Sequence, residues 1–260
     1  MDKLTNLRIS IVQAEIAWEN PVENRERFSK KIAELPETDL IVLPEMFPTG
    51  FSMNAKNLAE NPEGESLVWM QKTAKEKKSA ITGSVIVVEN GKFYNRLFFV
   101  FPNGKFEVYD KKHLFSYAEE HKTYSPGNKK IIVEHKGWKI CPMICYDLRF
   151  PVWSRNAEGY DLLLYVANWP KPRTQAWDIL LKARAVENIS YVAGVNGIGT
   201  DGNGLPYSGH SAVYGPLGDQ LSTLDFEKEF SDTLSLSKSN LIETRKKLAF
   251  LNDRDEFVLT

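Results

Sequence analysis

Cys145 is the residue of this sequence best placed to act as a nucleophile. It directly follows the apolar segment 138–144, which predicts a strand, and it precedes a polar segment that leads into a helix near Pro151. A thiol at a strand-to-helix turn is exposed for attack, and nearby backbone N–H groups can stabilise an oxyanion. The local pattern is thus compatible with covalent catalysis through a thiol, but by itself it is more typical of a buried structural cysteine.

A thiol with an ordinary pKa of about 8.5 needs a base or a cation beside it to react at neutral pH. One possible pair is a carboxylate and a cation, Glu45 and Lys111. Glu45 comes after the apolar segment 39–43, and Lys111 follows a predicted strand. Ligands of α/β proteins bind at the carboxyl ends of strands, which favours Glu45. The alternatives are that Glu45 forms a salt bridge or caps a helix and that Lys111 is an ordinary solvated lysine. The other possibility is a histidine base, for which the candidates are His113, His121 and His210.

The other cysteine, Cys141, is predicted to be a small buried side chain of the same strand. In a strand its Cα atom would lie about 13 Å from that of Cys145, whereas a disulfide requires less than about 7 Å. A metal-binding module is a further alternative, with the nominal ligands Cys141, Cys145, His113 and His121. These residues contain no Cys-x-x-Cys pair and match no familiar zinc spacing, so we predict no metal site.

Three glycines, Gly197, Gly199 and Gly202, have the spacing of a dinucleotide-binding loop that follows a strand. Such a loop must lead into a helix whose N-terminus holds the pyrophosphate. Gly204 and Pro206 follow here and disfavour that helix. We therefore predict a plain glycine-containing loop and no nucleotide cofactor.

The elements that must position these residues alternate between strands and helices. In the first half, hydrophobic spacing predicts a strand, a helix, a buried strand, a second helix and an antiparallel meander. The predicted segments are residues 7–14, 20–35, 39–43, 65–78, 80–88, 93–101 and 105–109. Asn90-Gly91 and Asn103-Gly104 suit the two hairpin turns of the meander, because both pairs tolerate positive φ.

The second half continues the alternation around Cys145. The predicted strands are residues 129–134, 138–144, 161–167, 190–196 and about 226–236, and the predicted helices are a short one near Pro151, residues 174–188 and a last one from Ser239. A hairpin is expected near residues 215–218. No Pro-, Gly- or Ser-rich linker divides the chain, so we predict one α/β domain over residues 1–260. Both a continuous mixed sheet and a two-sheet sandwich fit this pattern.

Composition and charge are those of an ordinary soluble globular protein of 260 residues. The 33 Lys and Arg residues balance 34 Asp and Glu residues, which argues against a nucleic-acid partner held by bulk positive charge. No apolar run approaches the roughly 18 residues that a membrane helix needs, and the N-terminal segment lacks a signal-peptide pattern. With no disulfide predicted, we expect a cytoplasmic protein with no membrane partner.

Three segments taken together resemble the catalytic signatures of the nitrilase superfamily, the carbon–nitrogen hydrolases. They occur in the order typical of that family, and they are residues 43–45, 109–114 and 144–151. The resemblance covers nearly the whole chain, from the strand that contains Arg8 to the last helix. Residues 165–170 and 184–196 are most similar to the bacterial omega-amidase branch, whose members act on 2-oxoglutaramate and related omega-amides.

The resemblance implies a four-layer α-β-β-α sandwich and a role for each catalytic candidate. Cys145 would be the nucleophile and Glu45 the general base. Lys111, together with the backbone N–H of Tyr146, would stabilise the oxyanion. Glu120 would be the second glutamate of the family, which helps to hold the lysine and the substrate amide; the adjacent Glu119 is the alternative for that position. No metal or organic cofactor is implied.

The implied substrate is a small-molecule amide of a short dicarboxylate, either 2-oxoglutaramate or 2-oxosuccinamate. A guanidinium can hold the distal carboxylate with two hydrogen bonds, and Arg149 and Arg173 are the candidates. Trp169 and Phe47 are expected to form apolar walls.

Several alternatives stay open at this point. Arg149 could equally form a structural ion pair with Asp147 or Glu187. An N-carbamoyl-amino-acid hydrolase would use the same Glu-Lys-Cys site, and a nitrile hydrolase is a weaker alternative because nothing in the sequence indicates a nitrile pocket. Family members commonly form dimers, so the resemblance also implies a homodimer.

Overall fold

The computed structural model describes residues 6–258, which form two large β-sheets, a separate two-stranded hairpin and seven α-helices. The strands are β1 (Leu7–Gln13), β2 (Leu40–Val42), β3 (Ala80–Glu89), β4 (Lys92–Val100), β5 (Phe106–Asp110), β6 (Val133–His135), β7 (Trp138–Ile144), β8 (Leu162–Ala167), β9 (Tyr191–Asn196), β10 (Ile198–Thr200), β11 (Pro206–Ser208), β12 (Ala212–Tyr214) and β13 (Phe230–Leu236). The helices are α1 (Pro21–Glu34), α2 (Ala55–Leu58), α3 (Glu65–Lys77), α4 (Glu120–Thr123), α5 (Pro151–Ser154), α6 (Thr174–Asn188) and α7 (Lys238–Leu248).

The two large sheets have similar topologies. The six-stranded sheet has the order β13-β1-β2-β3-β4-β5, in which β1, β2 and β3 are parallel. The five-stranded sheet has the order β12-β9-β8-β7-β6, in which β7, β8 and β9 are parallel. In each sheet the remaining strands are antiparallel to their neighbours.

The two sheets pack face to face, and helices cover their outer faces. Ile9 and Leu97 of the six-stranded sheet belong to the same buried cluster as Met143 and Leu164 of the five-stranded sheet. Alternate residues of the same strands point the other way, so that Val12 packs on the outer side with side chains of α1 and α3. Trp177 and the other buried residues of α6 cover the five-stranded sheet. This α-β-β-α sandwich confirms the predicted fold class and decides against a continuous sheet.

Most predicted elements are present, and the differences lie at their ends. The turn at Asn90-Gly91 has positive φ at both residues, 51° and 72°, as the hairpin prediction requires. The strand predicted at residues 129–134 begins only at Val133, where pairing with β7 starts. The last strand begins at Phe230 instead of residue 226, since Phe230 is the first residue that pairs with β1. The predicted glycine loop after β9 forms the β10–β11 hairpin, with no helix after it.

The fold brings the carboxyl ends of several strands to one end of the sandwich. Residue 45 follows β2 and residue 111 follows β5; these two strands run in the same direction because two antiparallel steps separate β5 from β3. Residues 145 and 168 follow the parallel strands β7 and β8 of the other sheet. The reactive side chains therefore meet where the two sheets end together. Separately, no helix within residues 6–258 has both the length and the apolar character needed to cross a membrane.

Candidate active site

Cys145 lies at a sharp turn between β7 and a 3₁₀ turn, Cys145–Arg149. Its backbone has a φ of 44°, in the left-handed region that costs energy for a residue with a side chain. The residue is only 8% exposed, and it lines a cavity of about 660 Å³. The predicted strand-to-helix turn is present, and it turns the thiol toward this cavity.

Three charged side chains meet in the interior beside Cys145. The Lys111 Nζ atom lies 2.8 Å from Glu45 Oε1 and 3.0 Å from both carboxylate oxygens of Glu120. All three residues are at most 1% exposed. Charged residues are almost never buried this completely unless they are paired. Burial of this cluster therefore costs desolvation free energy, which the pairing of its charges offsets. The structure thus brings together all four predicted catalytic residues: Glu45, Lys111, Glu120 and Cys145.

Burial and neighbouring charges determine the protonation of this cluster. Burial raises the pKa of the Cys145 thiol well above its ordinary value; the negative charge of Glu45 and a hydrogen bond to it act in the same direction, and Lys111 opposes them. Burial alone would lower the pKa of Lys111, but the charges of Glu120 and Glu45 outweigh it and raise that pKa. Burial also raises the pKa of Glu120, against the attraction of Lys111. At neutral pH the thiol therefore keeps its proton and the lysine keeps its positive charge.

The two adjacent glutamates of the loop lie in different environments. Glu120 is fully buried, and its Oε2 accepts a hydrogen bond of 2.6 Å from the backbone N–H of Phe115. Glu119 is exposed and pairs with Lys122. Of these two glutamates, Glu120 contacts Lys111 and Glu119 does not, so the geometry favours Glu120 over the alternative.

Two asparagines that the sequence did not identify hold Glu45 in place. Asn95 of β4 donates from Nδ2 to Glu45 Oε1 at 2.7 Å. Asn168, directly after β8, donates its backbone N–H to Glu45 Oε2 at 2.8 Å and its side-chain Nδ2 to the Glu45 carbonyl oxygen at 2.6 Å. A side chain at Gly197 would lie within 2.8 Å of Asn168 Oδ1, which gives this glycine a packing role. The sequence feature that could have identified Asn168 as a site residue is its position directly after a buried strand.

Asp147 organises the turn that carries Cys145. Its fully buried carboxylate accepts hydrogen bonds from Tyr109 Oη at 2.7 Å, from the backbone N–H of His113 at 2.9 Å and from the backbone N–H of Ile144 at 3.1 Å. These bonds join the segment around Lys111, from one sheet, to the turn around Cys145, from the other. The distance between lysine and thiol is therefore determined by a buried network.

The structure does not place a histidine at the thiol. The His113 ring contacts Asp147 and stacks on Phe150 with a centroid separation of 3.7 Å. His121 is exposed, and His210 pairs with Asp178. Among the described residues that line the cavity there is no histidine. The nominal metal ligands are likewise apart, because Cys141 is buried in the core while His121 faces solvent.

Four of the five predicted substrate-binding residues line the cavity: Tyr146, Arg149, Trp169 and Arg173. The exposed Arg149 guanidinium lies 4.9 Å from the centre of the Trp169 ring, and that of Arg173 lies 5.1 Å from the Phe115 ring. The alternative ion pairs of Arg149 are not formed within residues 6–258, where Glu187 pairs with Arg184 and Asp147 is bonded as described above. Both guanidinium groups are thus available at the cavity wall.

The prediction that Phe47 forms a cavity wall is wrong. Phe47 is fully buried on the outer side of the six-stranded sheet, where its ring lies 5.6 Å from that of Phe28 and 5.4 Å from that of Trp69. Met46, between Glu45 and Phe47, has a φ of 42°, and this left-handed turn directs the two neighbouring side chains to different layers. The corresponding aromatic residue in the cavity is Phe51.

Comparisons with known proteins agree with this geometry. A family model for carbon-nitrogen hydrolases matches residues 8–242. The chain is 43% identical over 258 residues to omega-amidase YafV from Escherichia coli strain K12, which covers 98% of this chain and 100% of that relative. It is 36% identical over 222 residues to 2-oxoglutaramate amidase from Bacillus subtilis strain 168, which covers 82% of this chain and 85% of that relative.

A solved structure has nearly the same fold. It is that of XC1258 from Xanthomonas campestris, a CN-hydrolase superfamily protein with an arsenic adduct in its active site. The two chains superpose with a TM-score of 0.96 and are 42% identical, over 98% of this chain and 99% of that chain.

Proposed function

Because the chain belongs to the carbon–nitrogen hydrolase family, we propose that Cys145, Glu45, Lys111 and Glu120 form the catalytic site of an omega-amidase. The enzyme hydrolyses omega-amides of short dicarboxylates, namely 2-oxoglutaramate and 2-oxosuccinamate, to the acid and ammonia. The observation that carries this proposal is the buried cluster of two carboxylates and one lysine beside a thiol, at a cavity that also contains two guanidinium groups.

The first half of the reaction forms a thioester. Since the thiol is protonated at rest, its proton passes to Glu45 as the sulfur attacks the carbonyl carbon of the amide. The carbonyl oxygen becomes negative and lies between the Lys111 ammonium and the backbone N–H of Tyr146. The carbon–nitrogen bond then breaks, Glu45 gives the proton to the departing nitrogen, and ammonia leaves. The acyl group remains on Cys145.

The second half of the reaction uses the same groups in the reverse direction. A water molecule enters after ammonia has left, and Glu45 takes a proton from it as it attacks the thioester. The carbon–sulfur bond breaks, and the sulfur recovers the proton from Glu45. Glu120 keeps Lys111 in place throughout, since both of its oxygens contact the ammonium. Every step needs only groups of this chain and water.

Arg149 and Arg173 give the cavity its preference for an acid at the far end of the substrate. Both are cations at the wall of the cavity that Cys145 and Lys111 also line. The planar guanidinium can form two parallel hydrogen bonds with the distal carboxylate. Trp169, which is nearly fully buried and lies beneath the Arg149 guanidinium, limits where that group can move.

Replacing Arg149 with methionine should weaken binding of the acid without affecting the chemistry. We expect kcat/KM for 2-oxoglutaramate to fall roughly tenfold to a hundredfold, mainly through KM, because a hydrogen bond to a charged group is lost. A neutral amide such as butyramide should be hydrolysed at the rate of the unmodified enzyme. Steady-state ammonia release for both substrates checks this prediction. Arg173→Met is measured in parallel. If only the Arg173 variant loses the preference for 2-oxoglutaramate over butyramide, then Arg173 and not Arg149 binds the carboxylate.

A substrate panel tests the proposed function directly. Ammonia release is measured for 2-oxoglutaramate, 2-oxosuccinamate, L-glutamine, N-carbamoyl-β-alanine and a simple nitrile. We expect the two 2-oxo amides to give the highest kcat/KM. If N-carbamoyl-β-alanine is the better substrate and releases carbon dioxide with the ammonia, the enzyme is a carbamoyl-amino-acid hydrolase, and the proposed substrate class is wrong.

The homodimer and the cytoplasmic location are also proposals. Both cysteines are free thiols, and a catalytic thiol keeps its activity in a reducing compartment.

Val152 of α5 and both Ile179 and Val186 of α6 are exposed apolar side chains, of the kind that a subunit interface covers. Gel filtration with light scattering should give about twice the chain mass of 29.6 kDa. Elution at the mass of a single chain would contradict the dimer.

A further inference from the structure

Asn95 is a neutral amide within the charged cluster. It lies on β4 and is fully buried, and its Nδ2 donates to Glu45 Oε1 at 2.7 Å and approaches Glu120 Oε1 at 3.4 Å. The same Glu45 oxygen also accepts from Lys111 Nζ at 2.8 Å. Asn95 thus adds a second donor to Oε1 of the proposed base, whose Oε2 accepts from the backbone N–H of Asn168, and it does so without adding a charge.

The other end of the Asn95 amide is unsatisfied. Within the part of the chain that the structure describes, its Oδ1 has no hydrogen-bond partner although it is buried. Reversing the amide would direct Oδ1 at the carboxylate oxygens of Glu45 and Glu120, so the charges determine its orientation. A buried carbonyl without a protein partner destabilises a fold, so its presence calls for an explanation.

Packing alone does not explain an amide at this position. The strand is otherwise apolar toward its end, with Leu97, Phe98 and Phe99 all buried. Leucine has nearly the shape of asparagine and would occupy the site without an unpaired oxygen. The requirement for the amide must therefore come from what its N–H group contacts, which is the pair of carboxylates.

The charges of the cluster identify what Asn95 does. Two carboxylates share one ammonium, and Lys111 contacts both oxygens of Glu120 but only one of Glu45. We propose that Asn95 is a positioning residue whose donated hydrogen bond holds the Glu45 carboxylate beside the Cys145 thiol, so that Glu45 can act as the base. This inference rests on the proposed roles of Glu45 and Cys145. A donated hydrogen bond stabilises the charged form of a carboxyl group, so its removal favours the protonated form.

The test is the pH dependence of Asn95→Leu. We expect kcat at pH 7 to fall about tenfold or more, and the acid limb of the kcat/KM profile to move to higher pH, with KM little changed. The unfolding temperature should change little, because removal of the unpaired oxygen stabilises the fold while loss of the donor to Glu45 destabilises it. Asn95→Ala serves as a second variant in case leucine prevents folding. Thr82→Val is the matched control, since Thr82 Oγ1 of the neighbouring strand β3 is also buried and unpaired but does not contact the cluster.

A second readout separates this inference from the proposed function. The rate at which iodoacetamide alkylates Cys145, followed by mass spectrometry as a function of pH, reports on removal of the thiol proton without any amide substrate. In Asn95→Leu its acid limb should move in the same direction as that of kcat/KM. If the unmodified enzyme hydrolyses no omega-amide, the proposed function fails, yet this measurement still tests Asn95. An unshifted acid limb in folded Asn95→Leu, or a loss of activity in proportion to a loss of stability at every pH, overturns the inference.

Discussion

Replacement of Cys145 by alanine is expected to lower kcat for 2-oxoglutaramate by about 10⁴-fold or more. The thioester cannot form without the sulfur, and the remaining groups of the cluster only polarise the amide. Ammonia release by the purified variant measures the loss. Mass spectrometry after a rapid acid quench should detect the acyl group on the peptide that contains Cys145 in the unmodified enzyme, and no such group in the variant.

Cys141→Ala is the matched control for this substitution. Both cysteines lie in the same segment, but Cys141 is fully buried in the core between the sheets and does not line the cavity. Its replacement should lower the free energy of unfolding by about 1 kcal/mol through lost packing and leave kcat nearly unchanged. Substantial amidase activity in Cys145→Ala, or loss of activity only in Cys141→Ala, would refute Cys145 as the nucleophile.

Lys111→Met should lower both activity and stability. Methionine preserves most of the volume but leaves Glu45 and Glu120 buried without their cation, which typically costs about 3–5 kcal/mol of folding free energy. The oxyanion also loses a donor, so kcat should fall by at least about a hundredfold. Repulsion between the two carboxylates favours protonation of one of them, so the residual activity should be confined to higher pH. Chemical unfolding and a pH–rate profile measure these effects.

Lys112→Met provides the comparison for Lys111. The adjacent Lys112 ammonium lies 5.4 Å from the centre of the Trp153 ring, at the margin of the network, and it does not line the cavity. Its removal should change stability by less than about 1 kcal/mol and kcat by less than twofold. A Lys111 variant that is as stable and as active as the Lys112 variant would show that the buried lysine has no catalytic role.

Three of the four reactive residues could be predicted because each follows a clear strand pattern, whereas Glu120 could be assigned only through the family resemblance. Glu45 and Cys145 directly follow apolar strands, and Lys111 follows the last strand of the meander. Local sequence therefore placed reactive groups at strand ends. It could not show that these ends meet, because the two sheets pack together through contacts between residues far apart in the chain, such as those of β1 with β9.

The neutral members of the site could not be predicted in the same way. Asn95 has no charge, and its only signal was an amide next to Arg96 in a strand that is apolar from Leu97 onward, a pattern equally typical of an edge or a bulge. Phe47 was misassigned because the left-handed conformation of Met46 reverses the direction of the chain just after Glu45. Periodicity applies within regular elements, and it gives no information about side-chain direction beyond such a turn.

Chemistry and selectivity reside in different parts of this chain. Lys111 at the base of the cavity and its partners Glu45 and Glu120 are buried, whereas the cavity walls come from connecting segments that carry exposed side chains such as Tyr117 and Asn203. Substitutions in connecting loops are tolerated far better than substitutions in a packed interior. Such a division allows substitutions in the cavity walls to change the preferred amide substrate while the residues that break the carbon–nitrogen bond stay the same. It also indicates where a redesign for a new acid should begin, namely at the walls and not at the base.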